Sequence, residues 1–250
     1  MKILADEGYD CHALNLTQSG SFFTSYASQM KAIREYVSAL NKPFVMVGHS
    51  QGGSKVQMYV LDKHASTSTM PRGIILLASS DLDVFSAVPK INFYVMQHRP
   101  LSCLLSSMSG MLFGEMTSFT FGGGPFRHIF GMYRGMFYTK TTTLLGDGPV
   151  SLRHFADVAI DSHDPMITDL MTFRTSSTPK EVLDNGLEIL HLVAAKDHVV
   201  PFSQSKAISN RWGGVKPIVI PKQGHEMGDL GWESTVMGEI LKFMEKFDDE

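Results

Sequence analysis

Between residues 44 and 61 the chain passes from an unbroken apolar run, Phe44-Val45-Met46-Val47, through Gly48-His49-Ser50-Gln51-Gly52-Gly53 into a helical stretch over 54–61. An apolar run without alternation reads as a strand buried on both faces, the property of parallel sheets. Parallel strands are joined by crossovers, so this passage points to alternating strands and helices. The Gly-x-Ser-x-Gly spacing says more. A strand that turns directly into a helix calls for small residues two positions either side of the turn's centre, and it lifts the Ser50 hydroxyl out of the sheet edge. Gly53, being small, lets the following helix pack close to the sheet.

The same alternation recurs on both sides. A helix containing Ile3 and Leu4 ends at Gly8, and residues 9–16 read as a short strand. Over 26–40, Ala27, Met30, Ile33, Val37 and Leu40 recur at spacings of three and four, the mark of one helix face, and Pro43 stops continuation. Buried strands are expected at 74–78, 188–194 and 217–220, with helices at 203–211 and 235–247. The expected fold class is therefore α/β, a mostly parallel sheet with flanking helices. Residues 84–179 break the pattern. Their centre, 101–138, is crowded with methionine and phenylalanine around Gly122-Gly123-Gly124, which reads as a helical cap inserted into the core. The expected organisation is a first part of the core at 1–83, the cap at 84–179 and a second part at 180–250. With 250 residues, 43% of them hydrophobic, the chain can bury one sizeable core.

A formal net charge of −3 gives no electrostatic reason to expect nucleic acid or an anionic membrane as partner. Cys11 and Cys103 are far apart and outside metal-ligand spacing, so they read as free thiols. Asp161, His163, Asp164 and Asp169 read as a solvated acidic segment rather than a metal site. Residues 1–10 carry Asp6 and Glu7 and lack the apolar centre of a signal peptide, and no run of about 18 apolar residues occurs. The expectation is a protein of the cytoplasm or an organelle lumen with no transmembrane segment. The triplet Asn15-Leu16-Thr17 fits a glycosylation sequon, a pattern that also arises by chance.

A serine hydroxyl becomes a nucleophile at neutral pH only beside a base, and the base needs a carboxylate to fix its tautomer. The later sequence supplies both. Asp197 follows the strand at 188–194, in Ala195-Lys196-Asp197-His198, and His225 follows the strand at 217–220, in Gln223-Gly224-His225-Glu226. Both stand at carboxyl ends of strands, where open α/β sheets place their sites. The chain order Ser50, Asp197, His225 resembles the α/β-hydrolase family over about 1–80 and 187–247. The resemblance implies Ser50 as nucleophile, Asp197 as orienting acid, His225 as general base and the Gln51 main-chain amide as an oxyanion donor, with no cofactor and no metal. Serine at the elbow argues against the epoxide hydrolase and haloalkane dehalogenase branches, which use aspartate there. Asp81, just past a strand, is the rival acid. His49 and His198 read as orienting or lining residues. His64, His128 and His191 read as surface or satisfied core residues.

The chain departs from the family in one respect. The strand and His-Gly loop that supply a second oxyanion amide have no counterpart before Ser50, and Asn15 stands where aspartate is frequent. The resemblance thus implies either an N-terminally incomplete fold, with unpaired groups between the strands at 9–16 and 44–47 and weakened catalysis, or flanking strands that close the gap. The expected function is hydrolysis of a carboxylic ester through an acyl-enzyme, and the apolar cap points to a medium or long acyl chain on a small-molecule substrate. The alternatives are a non-catalytic module binding a hydrophobic small molecule, and acyl transfer or carbon–carbon bond hydrolysis by the same three residues.

Overall fold

A computed structural model describes residues 2–14, 16, 26–40, 42–62, 69–82, 177–197, 200–221, 223–225, 227 and 232–248. The expected cap lies outside these residues as far as 176. So do Cys103, His64, His128, His198 and the acidic segment around His163.

The described elements are α1 (Lys2–Asp6), α2 (Tyr26–Ser38), β1 (Val45–His49), α3 (Gln51–Val60), β2 (Gly73–Leu77), α4 (Pro179–Asp184), β3 (Glu188–Ala194), α5 (Phe202–Arg211), β4 (Ile218–Ile220) and α6 (Trp232–Met244), followed by a 3-10 turn, Glu245–Phe247. The four strands form one sheet in the order β1-β2-β3-β4, and every pairing is parallel. All four therefore end at the same edge, which fixes where the segments after them can meet.

Side chains alternate across the sheet, so each strand feeds two cores. On one face Ile74 and Leu76 of β2 pack with Met30, Ile33 and Val37 of α2, with Val56, Tyr59 and Val60 of α3, and with Ile208 and Trp212 at the end of α5. On the other, Ile75, Leu190, Leu192 and Ile220 pack with Val236, Met237, Ile240 and Phe243 of α6, and Ile3 and Leu4 of α1 lie against them. Helices cover both faces, which explains why the strands read as continuous apolar runs. The end of α1 follows the sequence as expected: Gly8 takes φ +95°, and its amide and that of Tyr9 donate to the carbonyls of Ala5 and Leu4.

The expected strand at 9–16 does not form. Residues 9–14 and 16 take no strand conformation, and among the described residues the sheet ends at β1. An extended segment with no neighbouring ladder has nowhere to place its backbone groups in a sheet. It runs instead along the surface, where the Tyr9 hydroxyl donates to the Asp248 carboxylate at 3.0 Å. Among the described residues the expected mid-sheet gap is thus an edge at β1, where Val47 is 50% exposed. One helix goes beyond the expected elements. Thr178 and Glu181 form a reciprocal capping box at the start of α4, with Pro179 in its first turn.

Candidate active site

Ser50 stands at the passage from β1 to α3, in a backbone conformation that L-residues avoid, φ 53° and ψ −121°. Such a conformation costs of order 1–3 kcal/mol and persists only where the surroundings over-determine it. Here they do. The Ser50 amide donates to the Leu77 carbonyl at 2.9 Å, and the Ser50 carbonyl accepts from Gly53 at 3.1 Å and from Ser80 at 3.3 Å. A Cβ on Gly48 would stand 2.6 Å from both the Gly52 carbonyl oxygen and the Gly53 Cα, and one on Gly53 would stand 2.1 Å from the Ser79 hydroxyl. A Cβ on Gly52 meets nothing within 4 Å among the described residues. The steric demand thus falls on Gly48 and Gly53, whereas the spacing of the motif places it on Gly48 and Gly52.

Behind the turn lies a buried polar network. The Trp212 indole donates to Gln57 Oε1 at 3.0 Å, and Gln57 Nε2 donates to the Ser80 carbonyl at 3.1 Å and to the Ser79 hydroxyl at 3.3 Å. Ser54 and Ser80 share a hydroxyl–hydroxyl bond of 2.6 Å. These bonds fix the segment after β2 against α3. Each buried polar atom in it that lost its partner would cost about 1–3 kcal/mol.

The parallel sheet brings the segments that carry Asp197 and His225 to the same edge as Ser50. Asp197 follows β3, and its Oδ1 accepts the Val200 amide at 2.8 Å. His225 follows β4. Main-chain bonds join the two segments: Ala195 N–H donates to the Ile220 carbonyl at 3.0 Å and Lys196 N–H to the Gln223 carbonyl at 2.9 Å. His225 Nδ1 then lies 2.9 Å from Asp197 Oδ2, and His225 Nε2 lies 2.9 Å from the Ser50 hydroxyl. His225 is 0% exposed and Asp197 5%. A carboxylate only accepts, so Nδ1 carries the proton and Nε2 is left to accept from the serine. Gln51 opens α3, which puts its amide at the helix's N-terminal end beside Ser50.

Asp81 is placed apart from this group. Arg211 Nε and Nη2 hold its two carboxylate oxygens at 2.9 and 3.2 Å, and its amide donates to Gln204. His49 is turned toward the base segment, its Nε2 2.7 Å from the His225 carbonyl oxygen. His191 departs from the expectation of a satisfied core histidine. It is buried in β3, neither ring nitrogen has a hydrogen-bond partner among the described residues, and burial lowers its pKa to about 4. Among the described residues the apolar neighbours of β3 leave nothing to pair with it, and no periodicity in the sequence signals that.

Among the described residues no helix is long and apolar enough to cross a membrane. No curated protein matches the chain in sequence. In structure it is similar to a thermophilic esterase from Thermogutta terrifontis, at 14% identity over 90% of this chain and 73% of that one, with a TM-score of 0.53. It is also similar to the esterase EaEST from Exiguobacterium antarcticum, at 15% identity over 88% and 74%, with a TM-score of 0.50. An epoxide hydrolase from metagenomes of hot environments, described as an α/β hydrolase, aligns at 14% identity over 88% and 74%, with a TM-score of 0.51. At these identities the likeness is one of fold. The model of the alpha/beta hydrolase family matches residues 2–234, nearly the whole chain and a span that contains Ser50, Asp197 and His225, and the chain belongs to that family.

Proposed function

We propose that the chain is a serine hydrolase that cleaves carboxylic esters through an acyl-enzyme on Ser50. The observation that supports this most is the unbroken relay from the Ser50 hydroxyl through His225 to Asp197, both links at 2.9 Å and the two partners buried. In this reading the Ser50 oxygen attacks the ester carbonyl while His225 Nε2 takes its proton. Asp197 stabilises the imidazolium so formed, and the Val200 amide holds the acid's other oxygen. The charge that develops on the carbonyl oxygen meets the Gln51 amide. His225 returns the proton to the departing alcohol, and water repeats the sequence to release the acid. Because the elbow residue is serine, the intermediate is an acyl ester, whose hydrolysis needs no redox group.

The substrate is proposed to be an apolar ester with a medium or long acyl chain, on the strength of the methionine and phenylalanine content of 101–138. The test is labelling by a fluorophosphonate probe together with turnover of a chromogenic ester. Ser50→Ala is expected to abolish both while the protein stays folded. Asp197→Asn is expected to lower turnover by about 10⁴, as removal of the orienting carboxylate does in proteases. Labelling that survives in Ser50→Ala would overturn the assignment.

A further inference from the structure

We propose that His49 is a positioning residue that sets the distance between nucleophile and base, an inference that rests on the reading of Ser50 and His225 just given. A carbonyl oxygen only accepts, so the 2.7 Å contact to the His225 carbonyl puts the proton on His49 Nε2. The His49 and His225 rings lie 5.0 Å apart, tilted by 48°.

The reason for such a bond is in the topology. Ser50 follows β1 and His225 follows β4, at opposite ends of the order β1-β2-β3-β4. Neighbouring strands stand about 4.8 Å apart, so the base segment must reach back across roughly 14 Å of sheet edge to touch the serine. A segment reaching so far from its root needs an anchor near its tip. The bonds of Lys196 and Ala195 tie it to the acid segment, which shares its end of the sheet and fixes the imidazole relative to Asp197. His49, the last residue of β1 and the residue before Ser50, ties the backbone of His225 itself to the nucleophile's strand. Asp197 orients the ring from one side, and His49 anchors its main chain from the other.

A displacement of about 1 Å at a reacting centre costs on the order of 10²-fold in rate. His49→Leu, in the full chain, is therefore expected to lower kcat for a chromogenic ester by about 10- to 100-fold and to slow fluorophosphonate labelling in step, with KM within about twofold. His49→Gln keeps an N–H donor at similar reach and is expected to recover most of the lost kcat. His49→Asn keeps an amide but falls short of the carbonyl, and is expected to behave as His49→Leu does. Rates are taken per folded molecule, from the circular dichroism of each variant. Should His49→Leu fail to fold, the ratio of Gln to Asn carries the test. The inference is overturned if His49→Leu keeps wild-type kcat, or if Gln and Asn are equally slow, which would mark a purely structural side chain. Ser50→Ala run alongside separates the two levels: label retained there sinks the function, whereas Ser50-dependent label at an unchanged rate in His49→Leu sinks only the role of His49.

Discussion

Replacing His191 with leucine should flatten the loss of stability on acidification. His191 sits in β3 opposite Leu76, is 1% exposed, and has no hydrogen-bond partner for either ring nitrogen among the described residues. Burial alone lowers its pKa from 6.5 to about 4. The folded chain thus keeps the ring neutral well below the pH at which the unfolded chain takes up a proton. Stability is full above pH 6.5 and declines as pH falls toward 4, because the unfolded state binds more protons over that window. Each unit costs about 1.4 kcal/mol, so the whole window costs about 3 kcal/mol. Against a typical domain stability of about 5–15 kcal/mol this is a large fraction. Leucine fills a similar volume and removes two buried polar atoms that have no partner, so the variant should be at least as stable as wild type at pH 7.5. Urea midpoints and m-values of both proteins, measured from pH 7.5 to 4.5, should show a gap that widens below pH 6.5 in favour of the variant. A gap independent of pH would refute the reasoning, for it would mean that the ring takes its proton as easily folded as unfolded.

Gly53→Ala should destabilise the fold by about 1–3 kcal/mol, because its Cβ would collide with Ser79 in the buried network, while Gly52→Ala should be tolerated. Thermal melts compare the two, and equal losses would show that the clash does not decide stability. Arg211→Met leaves the buried Asp81 carboxylate without its bidentate partner and should cost about 3–5 kcal/mol in urea unfolding, with probe labelling per folded molecule nearly unchanged. Loss of labelling out of proportion to folding would tie Asp81 to the chemistry after all. Turnover should rise with acyl length from acetate to decanoate esters, since each buried methylene contributes about 0.8 kcal/mol. Flat kcat/KM across the series would contradict an apolar acyl pocket.

What the sequence disclosed and what it withheld divide along a physical line. The strands β1 to β4 and the helices α2, α3, α5 and α6 were legible because each carries a periodic apolar face or an apolar run, and burial enforces that pattern. The cluster of Ser50, Asp197 and His225 was legible because parallel strands bring their carboxyl ends to one edge, so position in the alternation is also position in space. The capping box of Thr178 and Glu181 is a local sequence signal for α4, but it sits where the pattern-free region ends and no apolar periodicity accompanies it. The segment 9–16 was misjudged because a run can have strand composition and still lack a partner strand, and pairing is not a local property. The network of Gln57, Ser79 and Trp212, the anchoring bond of His49 and the isolation of His191 were invisible for a related reason. The network and the His49 bond join residues 22 to 176 positions apart, and side-chain geometry at that separation leaves no periodic trace.

The strain at Ser50 connects these hidden contacts to the visible motif. A serine at φ 53° has no local reason to stay there, and relaxation would take its hydroxyl out of reach of His225. Three main-chain bonds resist that relaxation, from Ser50 to Leu77, from Gly53 to Ser50 and from Ser80 to Ser50. The third depends on the course of residues 78–81, and Ala78 itself takes a positive φ of 42°. Those residues are held in turn by Gln57 and Ser54 of α3 and, at Asp81, by Gln204 and Arg211 of α5. The same α5 begins just after Val200, whose amide fixes Asp197. Ser50 and Asp197 therefore share one buried polar framework, with α5 as the common member.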